Sequence, residues 1–204
     1  RTHQGYLIAS LHPPVSRFLV FSKTNERILQ SENEFDLTSA QHKGGICTDG
    51  RKYLTRFTYD GTACFDYQAG ELELHKSISL AQGKNLSAVA YEVENKGDDA
   101  TLIITPLMNF REHSESSTVD TLNFTTSCLK NSFTLIPQKD PSVKIQLAFS
   151  DGTLEQRDEQ YDIDMELQTE VDNEVDGLDT HFTPYDIHVQ IPANSTVQFS
   201  ILCR

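Results

Sequence analysis

The fold class is decided by one short run, Tyr185-Asp186-Ile187-His188-Val189-Gln190-Ile191, in which apolar and polar side chains alternate. A second run, Val197–Ile201, repeats the alternation. Successive side chains of a β-strand point to opposite faces of a sheet, so a period of two places one face on a core and the other in water or against a second layer. Both runs are therefore predicted to be strands.

The same alternation recurs along much of the chain. It is clear at Leu72–Leu80 and at Val89–Val93, and shorter apolar runs lie between glycine-containing turns. Such turns supply the positive φ angles that tight hairpins need. The clearest turn, Asp151-Gly152, is predicted to join a strand at Ile145–Phe149 to a short return strand near Thr153–Gln156. Many short strands with regular turns predict an all-β sandwich.

Helix is predicted in one place. Between Glu159 and Val175 the apolar residues fit both a strand period and a helical row, so this segment is interpreted as a strand that passes into a short helix. The chain has no repeat of fixed period and no low-complexity linker. Residues 1–204 are therefore predicted to form a single all-β domain with at most one or two short helices.

The charge balance excludes two classes of partner. Lysine and arginine number 17 against 30 aspartates and glutamates, which gives a formal net charge of −13. Such a charge repels phosphate groups, so neither nucleic acid nor a membrane surface is an expected partner. No apolar run approaches the ~20 residues that span a bilayer. Most of the charge lies between Glu155 and Asp179, which is interpreted as a solvated face.

The start of the chain and its cysteines bear on its origin. Arg1–Gly5 does not begin a signal peptide, and there is no initiator methionine, so the chain is expected to be a fragment of a longer protein. The four cysteines are widely spaced and include no C-x-x-C pair. This spacing favours free thiols in a reducing compartment, and the protein is expected to be cytoplasmic.

No metal, cofactor or catalytic residue is predicted. The histidines lack metal-ligand spacing, and Asp172–Gly177 resembles an EF-hand loop only faintly, since Thr183 stands where the bidentate glutamate should be. Neither a G-x-S-x-G nucleophile motif nor a phosphate-binding loop occurs. Glycoside hydrolysis needs two carboxylates, and no pair is marked by an apolar pocket that would raise a pKa.

One short cluster is equipped to bind a polar substrate. It follows the apolar strand Leu102–Met108, precedes a Ser/Thr-rich loop, and comprises Phe110, Arg111, Glu112 and His113. An aromatic ring can stack on the C–H face of a sugar while planar polar groups pair with its hydroxyls. These residues are therefore predicted to bind substrate. The alternative is a loop held by a salt bridge from Arg111 to Glu112 or to another acid.

Six pieces of sequence carry a family resemblance. They are Arg1–Leu11 with Pro13-Pro14-Val15, Phe21–Glu26, Tyr53–Phe57, Leu74–Ile78, Pro106–His113, and Gly177-Leu178-Asp179 with Phe182-Thr183-Pro184. In this order they resemble the N-terminal domain of bacterial and archaeal glycogen debranching enzymes, the amylo-α-1,6-glucosidases. The sequence departs from the family pattern at Gln4, which is an insertion, and at Glu112, which replaces an aspartate.

The resemblance implies a fold and a function. The fold is a β-supersandwich, the galactose-mutarotase-like antiparallel sandwich. In the family this domain precedes a helical α/α-toroid that bears the two catalytic carboxylates for hydrolysis of α-1,6-glucosidic branch points. The implied partners are therefore a covalently linked C-terminal toroid domain and a branched α-glucan. Residues 1–204 are expected to be the non-catalytic N-terminal domain, which packs on the toroid and shapes its substrate cleft.

Other classes of function stay open. One is a free-standing carbohydrate-binding or structural β-sandwich, which an exposed row of aromatic side chains would favour. The chain contains no tryptophan, the preferred residue for stacking on sugars, and this disfavours affinity of the isolated chain for glycans. A further alternative is a small hydrolase that is active by itself.

Overall fold

The fold is a sandwich of two antiparallel β-sheets, which confirms the predicted class. The computed structural model describes residues 4–12, 16–167 and 177–204. Residues 168–175 of the segment predicted to pass from a strand into a short helix, and residues 172–176 of the EF-hand-like stretch, lie outside these residues. Two segments of the family resemblance, 1–3 and 13–15, lie outside them as well.

The described residues contain eighteen strands and two short 3-10 helices, Gly50–Tyr53 and Val119–Thr121. The first nine strands are β1 (Leu7–His12), β2 (Ser16–Gln30), β3 (Asn33–Asp36), β4 (Ser39–His42), β5 (Ile46–Asp49), β6 (Leu54–Tyr59), β7 (Ala63–Ala69), β8 (Leu72–Leu80) and β9 (Ser87–Asn95). The second nine are β10 (Ala100–Glu112), β11 (Phe124–Leu129), β12 (Ser132–Pro137), β13 (Ile145–Phe149), β14 (Thr153–Gln156), β15 (Tyr161–Glu166), β16 (Leu178–Phe182), β17 (Tyr185–Ile191) and β18 (Ser195–Cys203).

Within the described residues, the larger sheet has ten strands and the smaller sheet has eight. The larger sheet follows the order β1-β2-β10-β16-β15-β4-β5, with β3 beside β2 and β17 between β10 and β14. The smaller sheet follows the order β11-β12-β13-β18-β9-β8-β7-β6. Strand β10 is central: β2 pairs along one of its edges, and β17 and then β16 pair along the other.

The observed strands match the predicted alternation, but one predicted hairpin is wrong. Strands β13 and β14 have the bounds expected on either side of Asp151-Gly152. However, β13 pairs with β12 and β18 in the smaller sheet, whereas β14 pairs with β17 in the larger sheet. Gly152 has the positive φ that such a turn needs, +112°. Turn chemistry fixes this backbone angle and does not determine which sheet the next strand joins.

The four cysteines, all among the described residues, form no disulfide bonds. Each is a free thiol, and Cys203 is buried in the core. Burial raises the pKa of its thiol to about 12, so the reactive thiolate is not populated at neutral pH. No helix in the described part of the chain is both long and apolar enough to cross a membrane.

An ion pair lies inside the apolar core between the sheets. Lys76 on β8 of the smaller sheet and Glu26 on β2 of the larger sheet are 3% and 4% exposed, with Nζ and Oε1 2.6 Å apart. The hydroxyls of Tyr91 and Thr24 donate to the same carboxylate oxygen. Burial alone would lower the pKa of Lys76, but the Glu26 carboxylate raises that pKa above its ordinary value, so the amine stays charged.

Glu26→Gln tests the importance of this pair for stability. The substitution preserves side-chain shape but leaves the Lys76 amine buried without its counter-ion. We therefore expect the free energy of unfolding to fall by roughly 3–5 kcal/mol, measured by urea denaturation. The control is Glu73→Gln, which removes an exposed ion pair with Lys96 and should barely move the urea midpoint. Equal effects of the two substitutions would contradict the structural role of the buried pair.

Candidate functional site

The predicted Phe110–His113 cluster lies at the end of β10, and its first member belongs to the core. Phe110 is 5% exposed, and its ring stacks on that of Phe18 with centroids 4.8 Å apart. One ring face is therefore covered by protein, and the aromatic contribution of Phe110 goes to packing at the corner.

Arg111 forms a buried bridge to a neighbouring strand. Its Nη2 and Nε donate to Asp179 Oδ2 on β16 at 2.7 and 3.1 Å. Its Nη1 donates to the backbone carbonyls of Glu112 and His113 at 3.1 and 3.3 Å. Asp179 Oδ1 accepts the backbone N–H of Ser117 at 2.8 Å, which ties the following loop to the same carboxylate. The alternative interpretation, a loop held by an Arg111–acid salt bridge, describes this arrangement, with Asp179 as the acid.

Glu112 and His113 keep accessible surface. Glu112 is exposed and His113 is half-buried, and the Nδ1 atom of His113 is buried without a hydrogen-bond partner. The structure thus divides the cluster into two buried residues that brace the corner, Phe110 and Arg111, and two residues that keep exposed surface. Substrate binding by the four residues stays a prediction.

A cavity of about 710 Å³, which we call the inter-sheet cavity, opens beside Arg111 and is lined by residues of both sheets. Its polar wall comes from the larger sheet and contains Lys23, Arg111, Asp179 and His181. The facing wall is mostly apolar and contains Tyr6, Tyr59, Ala63, Phe65 and Ile78. The volume is within the range of ligand pockets. Ring faces opposite planar polar groups can hold the apolar face and the hydroxyls of a sugar at the same time.

Sequence reasoning missed His181, which is 1% exposed and lines this cavity. Neither of its ring nitrogens has a hydrogen-bond partner, and Nε2 lies 3.5 Å from Asp179 Oδ2. Burial lowers the pKa of His181 to about 4, so the ring is neutral at pH 7 and can both donate and accept. The nearest signal in the sequence was Gly177-Leu178-Asp179, which marked the strand but not its histidine.

Lys23, also missed, adds a cation to the polar wall. Burial lowers the pKa of its amine, and Nζ lies 3.4 Å from the carbonyl oxygen of Ser39. Among the described residues, no group of three or more His, Cys, Asp or Glu side chains is arranged to hold a metal ion. The chemistry of the cavity is therefore that of hydrogen bonding and ring stacking by the residues already named.

Comparison with protein families gives the relationship. The family model described as "Glycogen debranching enzyme N terminal" matches residues 1–198. The chain belongs to this family. The resemblance inferred from six short pieces is thereby confirmed. The buried Arg111–Asp179 bridge joins two of those pieces. Arg111 belongs to Pro106–His113, and Asp179 belongs to the piece that begins at Gly177, so two segments typical of the debranching enzyme N-terminal family are in direct contact.

Similar solved structures include two carbohydrate-related proteins. A polysaccharide lyase is 11% identical, with a TM-score of 0.44 over 91% of this chain and 25% of its own. A protein described as a kojibiose phosphorylase from the human microbiome is 10% identical, with a TM-score of 0.45 over 92% of this chain and 22% of its own. This debranching enzyme N-terminal domain thus spans about a quarter of each of those proteins. No curated protein sequence matches the chain.

Arg111→Ala tests whether the bridge holds the corner. The substitution leaves the Asp179 carboxylate buried without its counter-ion, so we expect a loss of roughly 3–5 kcal/mol in the free energy of unfolding. Thermal and urea denaturation measure the loss. Glu112→Ala, at the adjacent exposed position, is the control and should leave the melting temperature nearly unchanged. A wild-type melting temperature for Arg111→Ala would show that the bridge is dispensable and would favour a ligand-binding role for Arg111.

The low pKa of His181 predicts sensitivity to acid. Histidine in the unfolded chain protonates near pH 6.5, whereas buried His181 stays neutral down to about pH 4. Protons therefore bind preferentially to the unfolded chain, and stability is lost as the pH falls through this window, by roughly 3 kcal/mol. The difference between the urea midpoints at pH 7 and pH 4.5 should therefore be smaller in His181→Gln than in wild type. His75→Gln, at a half-exposed histidine, is the control. An unchanged pH dependence in His181→Gln would contradict the assignment.

Proposed function

We propose that residues 1–204 are the accessory N-terminal domain of a cytoplasmic glycogen debranching enzyme. In that enzyme, a C-terminal α/α-toroid domain hydrolyses the α-1,6-glucosidic branch points of glycogen-like glucans. The observation that carries the proposal is the match of the debranching enzyme N-terminal family to residues 1–198. The domain itself supplies no catalytic residue. Its role is to pack on the catalytic domain and to shape the cleft that receives the branched glucan.

The corner at the end of β10 supports a place beside the cleft. Glu112 and His113 are accessible polar side chains, and two buried contacts brace the chain on which they sit. These contacts are the Phe110–Phe18 stack and the Arg111–Asp179 bridge. Polar groups that are already fixed lose less conformational freedom on binding, so a braced corner suits recognition of a flexible glucan branch.

The test uses the full-length parent enzyme and glycogen limit dextrin. Glu112→Ala should lower kcat/KM by about ten- to a hundredfold, the effect of one lost charge-assisted hydrogen bond, and His113→Ala should lower it by up to about tenfold. Neither substitution should change the melting temperature. Glu115→Ala is the matched control, since it removes another exposed acid from the same loop. The isolated 204-residue chain should release no glucose.

Two results would contradict the proposal in different ways. If kcat/KM is unchanged in both Glu112→Ala and His113→Ala, the corner does not belong to the cleft. If the isolated chain releases glucose above a buffer blank, with contaminating enzyme excluded, the domain is itself a hydrolase and the accessory role is wrong.

A free-standing carbohydrate-binding module is the second candidate, because the edge strand β6 presents aromatic side chains. Phe57 and Tyr59 are 54% and 72% exposed and point to the same side of the strand, and Tyr59 lines the inter-sheet cavity. A glucan chain could stack on these rings. This function would require the isolated chain to bind maltoheptaose and to lose that binding in Tyr59→Ala.

A further inference from the structure

A second opening lies on the outer face of the larger sheet, the face that points away from the core. Ile104 on β10 belongs to the core, so the next residue, Thr105, points outward, as does its cross-strand partner Asn25 on β2. These two residues form part of a groove of about 330 Å³ that strands β2, β4, β5, β10 and β15 line together with the segments around Arg157 and Thr183. We call it the outer groove.

Two polar atoms in the outer groove are buried and have no hydrogen-bond partner. Thr183 is 2% exposed, lines the groove, and its Oγ1 is unpaired. Asn25 Oδ1 is unpaired in the same way. A buried polar atom that makes no hydrogen bond costs on the order of 1–3 kcal/mol, so folded proteins usually provide it with a partner. Two such atoms in one opening indicate a polar ligand that supplies the missing hydrogen bonds.

Except for the exposed Glu159, the charged side chains of the outer groove already have partners. Arg157 Nη1 lies 2.9 Å from both carboxylate oxygens of Asp186, which lies behind it on β17. His42 pairs with Asp162 across β4 and β15. Arg27 pairs with Glu34, and Asp36 accepts the backbone N–H of Thr38. Glu159, the last charged member, is exposed. An ionic ligand would have to break these pairs, whereas the unpaired atoms are a neutral amide oxygen and a neutral hydroxyl.

We propose that the outer groove binds a neutral polyhydroxylated ligand, a glucosyl unit of an α-glucan chain. Sugar hydroxyls donate to Asn25 Oδ1 and exchange hydrogen bonds with Thr183 Oγ1. Tyr161 also lines the groove, but its ring packs against Phe182 and its hydroxyl donates to the carbonyl of Leu122, so recognition rests on the hydrogen bonds. The choice of an α-glucan rests on the proposed function; the neutral, hydroxyl-rich chemistry rests on the groove alone. This site is separate from the inter-sheet cavity, whose lining residues it does not share.

The test is a titration of the 204-residue chain with maltoheptaose, followed by NMR chemical shifts and calorimetry at millimolar sugar. Thr183→Val and Asn25→Leu each remove an unpaired polar group at nearly constant volume, and each should weaken binding about three- to tenfold. Because Thr183 Oγ1 has no partner in the free protein, Thr183→Val should not lower the melting temperature. Thr153→Val, the same substitution at an exposed threonine of β14 that lines neither opening, is the control and should leave the affinity unchanged. Tetragalacturonate, an anionic oligosaccharide, should bind more weakly than maltoheptaose.

Three kinds of result would count against the groove proposal, and a fourth would separate it from the proposed function. Absence of shift changes at the groove would mean that water alone fills it. Equal affinity of wild type and both groove variants, or loss of binding in Tyr59→Ala, would place the sugar elsewhere. Tighter binding of tetragalacturonate would overturn the neutral chemistry. A parent enzyme without debranching activity, combined with maltoheptaose binding that depends on Thr183 and Asn25, would refute the proposed function and leave the groove proposal standing.

Discussion

The buried ion pair between Lys76 and Glu26 is the constraint on which the arrangement of both sheets depends. A buried pair adds little net stability compared with apolar side chains of the same volume, but a buried charge without its partner is very costly. The pair therefore selects one alignment of β2 against β8 rather than simply holding the sheets together. Since a one-residue slip of a strand exchanges its two faces, fixing Glu26 inward also fixes its neighbours Asn25 and Arg27 outward. The inward orientation of Glu26 in the core thus determines which residues of β2 line the outer groove.

A second buried pair, Arg111–Asp179, acts where backbone pairing is sparse. Strands β10 and β16 share one registered pair, Met108 with Phe182. Beyond that pair, side chains join the two strands: Asn109 Nδ2 donates to the carbonyl of Thr180, and Arg111 donates to Asp179. Side-chain bonds thus hold these two strands together where registered backbone pairing is limited to one pair, and two of the bonded residues, Arg111 and Asp179, line the inter-sheet cavity.

Sequence patterns predicted what depends on local alternation and missed what depends on partners. The period of two located β17 and the bounds of β13 and β14, because burial of one face leaves a direct trace in residue order. The pairing of β14 with β17 instead of β13 has no such trace, since an Asp-Gly turn fixes only a local backbone angle. Arg111 was recognised as important, yet the choice between ligand and salt bridge depended on Asp179, which is 68 residues away. His181 was not singled out, and Thr183 was named only as part of the family resemblance and as the residue in place of an EF-hand glutamate. What makes both notable is a lack of hydrogen-bond partners, which becomes visible only after folding.

The two openings are adjacent along strands β15 and β16, and this limits what either can bind. His181 on β16 lines the inter-sheet cavity, and its cross-strand partner Asp162 on β15 lines the outer groove. Burial dominates the lowered pKa values of His181 and Lys23, and Asp162 acts on both groups in the opposite sense. A charged ligand in the outer groove would have to separate Asp162 from His42 and would alter the charge balance around both of these groups. A neutral sugar needs neither change. Asn25 lies on the paired strand β2, and Thr183 lies in the two-residue connection between β16 and β17, where its backbone N–H donates to the carbonyl of Gln160. Both polar groups are therefore in place before a ligand binds, so the groove can favour neutral over anionic glycans without first being ordered by the ligand.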